Sequence, residues 1–245
     1  MKKYVLLSSL FLLQCSKMGL ECAGTLEEEQ KTAYCTEKSP DERSMLAMKQ
    51  GNFSLAQTLL ENLIHSEPTS YFRYPRLAAV YAIQAGFILL DADITKISGT
   101  GFSTLTHLFP SPKGESRSAF QKKMAKMNAA KTLLLQMPEV ERTSGKTSYG
   151  ASAQFQLTVY LTAFAAMTLN QFFSADGQVD PTLLQTLSAE DAVNILGSLV
   201  QAAQASGKIS PTLTPKIQEV LDEIDQANGE SSQQKIQDFI QSHAS

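Results

Sequence analysis

From Pro40 onward, apolar positions recur at helical spacing. Residues 41 to 70, "DERSMLAMKQGNFSLAQTLLENLIHSEPTS", read as a helical hairpin broken at Gly51 and closed by Pro68. A second hairpin follows over about 71 to 97. Ala119 to Met137 predicts a helix with Phe120, Met124, Met127, Leu134 and Met137 on one face and Pro138 as its stop. Residues 147 to 175 carry no charge, and Gln154 to Phe173 is apolar on nearly every face. Interspersed Gln, Thr and Asn argue for a central buried helix rather than a membrane span. Further helices follow: one opened by a capping box at Ser188 and Asp191, and one by Ser210-Pro211 with Leu213, Ile217, Val220, Leu221 and Ile224 on its face. A last short helix presents Ile236, Phe239 and Ile240. The predicted fold is all-α, over residues 40–245 as one domain.

Two other stretches break the pattern. Residues 98 to 118, "SGTGFSTLTHLFPSPKGESRS", are loop-like in composition, with Phe102, Leu105, Leu108 and Phe109 as apolar members expected to pack. At the start of the chain, Met1-Lys2-Lys3 precedes an apolar run from Tyr4 to Leu13. That run suits the core of a secretory signal and is too short for a bilayer, which needs ~20 apolar residues. A buried terminal helix would explain the run, but not the lysines before it.

Leu12-Leu13-Gln14-Cys15 resembles the lipobox of bacterial lipoproteins, with Gln14 where a small residue is usual. The resemblance implies a signal peptide at 1–14, a diacylglyceryl anchor with an added palmitate-type chain on Cys15, and a tether at 15–39. No aspartate follows Cys15. The resemblance therefore implies an envelope protein facing the periplasm from the outer membrane. The chain has three cysteines, so Cys15 would leave Cys22 and Cys35 as a pair. A disulfide is one state open to them in an exported compartment, and free thiols are the other. Zinc lacks paired spacing and a neighbouring His.

Gly51, Phe53, Ala56, Leu60, Leu63 and Pro68 resemble the second helix and closing turn of a tetratricopeptide (TPR) repeat. A shift of ~34 residues, the period of that class, reaches Ala85, Phe87, Leu90, Ile94 and Ile97. It also maps Ser44 to Ala78 and Ala47 to Tyr81, within the motif-like run Leu77-Ala78-Ala79-Val80-Tyr81. The resemblance covers 41 to 97 and implies two TPR-like hairpins extended into an α-solenoid-like domain with a concave groove. Met48, Tyr74, Tyr81 and Gln84 would line that groove and receive a protein, a peptide or a small apolar ligand. The anchor-plus-helices plan is also similar to the T-component lipoproteins of TRAP-type transporters, which implies a ligand-binding accessory role in solute uptake.

Composition narrows the chemistry. In 245 residues, 43% are hydrophobic and 18% charged, a balance that suits a packed core. A net charge of −3 gives no footprint for nucleic acid. His65, His107 and His243 stand apart from one another and from carboxylates or thiols at ligand spacing, so neither a metal site nor a catalytic set is expected. Asp176, Gly177 and Asp180 fall short of a calcium loop and read as a helix-ending turn. The expectation is a binding scaffold, not an enzyme, with no cofactor.

Overall fold

The computed structural model describes residues 39–87, 115–144, 146–173, 178–207 and 213–243. The signal, the tether up to residue 38, Cys15, Cys22 and Cys35 lie outside these residues, as do Leu90, Ile94, Ile97, the 98–114 segment with His107, Asp176, Gly177 and Ser210-Pro211. The described residues are helical apart from turns and one isolated bridge between Phe173 and Val179. The chain divides into two compact units, residues 1–66 and 67–245.

In the first unit, α1 (Pro40–Lys49) and α2 (Phe53–Ser66) form a hairpin. Ser39 caps α1 by accepting the Glu42 N–H, Glu42 returns the bond to the Ser39 N–H at 2.7 Å, and Pro40 occupies the first turn, where no donor is missed. Gly51, at φ 73°, ends α1: its N–H reaches Met48 O and the Asn52 N–H reaches Ala47 O. This left-handed turn is where glycine costs least. Ala47, Ala56, Leu59 and Leu60 are buried.

The second unit is built around one helix. It comprises α3 (Arg73–Gln84), α4 (Arg117–Leu135), the single turn α5 (Glu139–Arg142), α6 (Ser148–Asn170), the single turn α7 (Pro181–Leu184), α8 (Ala189–Ser206), α9 (Leu213–Gln226) and α10 (Ser232–Ser242). Helices α3, α4, α5 and α8 all pack against α6, while α9 and α10 pack on α8 and on each other. α6 is therefore the central helix its composition predicts, with residues buried on every side. No helix among the described residues is long and apolar enough to cross a membrane. Gln154, near the start of α6, meets Ala205, near the end of α8, so these two helices run antiparallel.

Side chains fix the helix ends. Ser116 caps α4 and Thr147 caps α6, which places α4 two residues earlier and begins α6 six residues earlier than the apolar pattern alone suggests. The Ser188–Asp191 capping box opens α8 as read from sequence, and Ser231 with Gln234 opens α10 in the same way. Asp180 is the N-cap of α7, accepting from Thr182 N at 2.9 Å and Leu183 N at 3.1 Å. Gln233 and Gln237 of α10 donate to Leu187 O and Leu184 O, tying the last helix to the end of α7.

The two glycine turns bear on the repeat. Gly86, at φ 81°, ends α3 through Gly86 N to Ile83 O and Phe87 N to Ala82 O. This is the bonding scheme of Gly51, but the two turns stand 35 residues apart. In that register Phe87 matches Asn52, and the turn residue matching Gly51 is Gly86 rather than Ala85. Hydrogen bonding sets the register here. The aromatic spacing had suggested one residue less.

Candidate functional site

α3 and α4 lie antiparallel, since Lys126 approaches Tyr81 and Lys123 approaches Gly86. Leu77, Ala78, Val80 and Ala82 commit α3 to the core. Tyr81 and Gln84, one turn apart, stay half-buried. The Lys126 ammonium sits 5.2 Å from the centroid of the Tyr81 ring, within range of its negative face. Lys123 pairs with Glu115 at 2.9 Å. The Lys123 ammonium also lies close over Gly86, at the carbonyl end of α3, where a cation is favoured and the helix itself has none. The Gln84 Oε1 is buried with no hydrogen-bond donor among the described residues. A cation and an aromatic hydroxyl on one helix pair can hold a polar or peptide group.

The other groove candidates behave differently. Tyr74 is 6% exposed, its hydroxyl donates to Pro68 O at 2.9 Å, and its ring lies 5.8 Å from that of Tyr71. Burial, with a smaller part from Tyr71, pushes its pKa up. Tyr74 thus braces the turn before α3 and keeps little of its surface open to a ligand. Arg73 beside it is 5% exposed and pairs with Glu67 at 2.9 Å. Met48 is half-buried and belongs to the first unit, as do Phe53, Ala56, Leu60 and Leu63 of α2. Ala56 and Leu60 are fully buried, Phe53 and Leu63 half-buried; Pro68, in the second unit, is exposed in a turn. Leu77, Ala78, Ala85 and Phe87 are buried, with Phe87 edge-on to Tyr160 at 6.2 Å.

Two histidines fall among the described residues. His65 is exposed at the end of α2. His243 superficially heads a serine–histidine–carboxylate set: Ser242 Oγ is 3.2 Å from Nδ1, and Glu223 Oε2 is 3.5 Å from Nε2. However, Nδ1 lies 2.9 Å from Phe239 O, and Ser242 Oγ donates to the same carbonyl at 2.8 Å. A proton on Nδ1 satisfies that carbonyl and leaves no lone pair to activate Ser242. With its ring 4.5 Å from Phe239, His243 closes the last turn of α10. Among the described residues no three His, Cys, Asp or Glu side chains gather as metal ligands.

Sequence reading missed two features of the core. Gln154 donates to Ala205 O at 3.4 Å and Gln156 to Ser152 Oγ at 3.1 Å, yet both amide oxygens are buried without a donor. The Lys131 ammonium stands 4.5 Å from the Phe164 ring centroid, and burial lowers its pKa. The presence of Gln in an apolar helix was the available signal for the first. A lysine within a buried α4 face was the signal for the second.

No family model matches the chain, and no curated protein or solved structure matches it.

Proposed function

We propose that this chain is an exported bacterial lipoprotein, anchored through Cys15, that works by recognition: a TPR-like helical scaffold holding a protein or peptide in the envelope. The observation that carries the binding part is the α3–α4 face, where the Lys126 ammonium stands 5.2 Å from the centroid of the half-buried Tyr81 ring. A carboxylate of a bound segment would suit the Lys126 ammonium, and an apolar side chain the Tyr81 ring. The repeated glycine turns at Gly51 and Gly86 support the hairpin repeat.

The test is a photo-crosslinking residue at Tyr81 or Gln84, with one at exposed Glu190 as reference, in intact envelopes of the native host. A discrete adduct at 81 and 84 that is absent at 190 is expected. Equal patterns at all three positions would remove the groove. Intact mass of the N-terminal peptide decides the anchor separately: a diacylglyceryl group on Cys15 keeps it, and an unmodified Cys15 discards it.

A further inference from the structure

α6 carries no charge and is buried on every side. α8 carries none from Ala192 to Gly207, yet one side of it is open. Its inner side, with Ala192, Ile195, Leu199 and Ala202, is buried, and α8 packs on α6, α9 and α10. On the outer side Ala189, Val193, Leu196, Val200 and Ala203 recur at spacings of four, three, four and three, as along the seam of a coiled coil. Val193 is 65% exposed and Val200 41%; Ala189 is exposed, and Leu196 and Ala203 are half-buried. Beside the seam stand the exposed Glu190, Asn194, Gln201 and Gln204 and the half-buried Gly197. The open side thus has the composition of an interior, with one charge, Glu190, at its end.

We propose that the outer face of α8 is a self-association surface, covered by the α8 of a second copy of the chain running antiparallel to it. The order of side chains points to that occupant. The seam reads Ala-Val-Leu-Val-Ala from either end, so two copies related by a two-fold axis near Leu196 meet bulk to bulk at the centre and small to small at both ends. Charge points the same way. A parallel pair would set Glu190 against Glu190, whereas in the antiparallel pair Glu190 lies within a turn of the neutral Gln204 of the other copy. The two helix dipoles then also oppose each other. A membrane surface would call for cations beside the seam, and α8 has no Lys or Arg. Gly197 stands close to the axis, where a Cβ would meet nothing within 4 Å, so a second helix has room to approach. α8 has 18 residues and is ~27 Å long. A pair of that size buries less than the ~1,200 Å² of a stable interface, so association is weak and the dilute samples of an unfolding experiment hold the monomer. This reading rests on neither the repeat nor the Cys15 anchor.

The test uses the full chain with Cys15, Cys22 and Cys35 replaced by Ser, so that neither acylation nor an intermolecular disulfide contributes. Sedimentation equilibrium from micromolar to millimolar concentration should show monomer passing to dimer. Val193→Lys with Val200→Lys brings cations together across the axis and should weaken the dimer by about tenfold or more. Val193→Glu with Val200→Glu should do the same with anions. An equimolar mixture of the two variants should associate again, one of each, a rescue that apolar association elsewhere in the chain does not produce. Circular dichroism confirms that both variants stay folded. A parent that stays monomeric overturns the proposal, as does an undiminished dimer in either variant or a mixture that fails to pair. In envelopes of the native host, a photo-crosslinker at Glu190 of the otherwise unaltered chain should give an adduct of twice the chain's mass. An adduct there with a different protein in place of that dimer overturns the proposal as well.

Discussion

α6 and α9 belong to the same unit and bury themselves in opposite ways. α9 keeps one face apolar, with Ile217, Val220 and Ile224 buried, and turns Gln218 and Asp222 outward, where they bond to each other at 2.8 Å. α6 has no outward face over most of its length, so its polar residues go inside with it. It handles them locally. Thr158, Thr162 and Thr168 return their hydroxyls to the carbonyls four residues earlier, at 3.1, 2.9 and 2.8 Å. Such bonds let a hydroxyl be buried without any partner from another helix. Threonine therefore suits a central helix, whereas glutamine leaves an acceptor over, as Gln154 and Gln156 do.

The largest separation of the two helices comes from charge. Ala163 is fully buried in α6, and no cation faces it on its own helix. Ala163→Asp should cost several kcal/mol, about 4 or more, which is a large share of a domain's stability. Thermal and urea melts followed by circular dichroism should show a lost or sharply lowered transition. Asp222→Ala on α9 should stay within about 0.5 kcal/mol of the parent. Equal losses at the two sites would mean that α6 is not the centre of the unit.

Gly150 separates the helices next. In the first turn of α6, a Cβ on Gly150 would fall 2.5 Å from Glu141 O and 2.8 Å from Ser144 O. Both are backbone atoms, so neither can swing away. Gly150→Ala should destabilise by roughly 2 kcal/mol, the range for forced overpacking. Urea midpoints read this directly. A neutral result would mean that the segment entering α6 is looser than its packing implies.

These contrasts were legible to different degrees in the sequence. The placement of α6 was, because an absence of charge over 147–175, with Gln, Thr and Asn interspersed, suits the interior of a helical domain. The core faces of α4, α9 and α10 followed from spacing, and Phe120, Met127, Leu134, Ile217, Ile236, Phe239 and Ile240 are all buried. The register of the glycine turns was not legible. Phe53 and Phe87 suggested one spacing, while the turn is fixed by which N–H meets which carbonyl. The candidate site was half legible. Tyr81, Gln84 and Tyr74 were named together, as polar or aromatic members of a first helix in the repeat-like stretch. Burial then separated them, and burial depends on which helix covers α3. The roles of Lys123, Lys126 and Lys131 were not legible for the same reason: each depends on a residue from another helix.

The interior of α6 also predicts an alkaline limit. Tyr160 is 1% exposed, and burial pushes its pKa well above the ordinary tyrosine value. The native state holds the neutral phenol, and this stabilisation is intact below about pH 10. Above that, the unfolded chain releases the proton first, so stability falls by about 1.4 kcal/mol per pH unit until the buried group itself ionises. Urea denaturation at pH 9, 10 and 11 should show this decline, and Tyr160→Phe should flatten part of it. Parallel declines in parent and variant would assign the effect to other groups, including Tyr74, whose pKa is also raised.

The smallest effect has the opposite sign and comes from α8, which shares features of both helices. Its inner face, with Ala192, Ile195, Leu199 and Ala202, is buried against the core as α6 is. Its outer face carries Val193 at 65% and Val200 at 41% exposure, with Gly197 between them. A Cβ on Gly197 would meet nothing within 4 Å, and its φ lies outside the left-handed region. Nothing in the described packing therefore requires glycine there, and a mid-helix glycine costs backbone entropy in the folding step. Gly197→Ala should stabilise the chain by about 0.5–1 kcal/mol, seen as a raised urea midpoint with an unchanged slope. Gly150→Ala, also in a helix, should lower the midpoint. If Gly197→Ala lowers it too, something covers the outer face of α8 in solution, and the contrast between a covered and an uncovered glycine fails at that point.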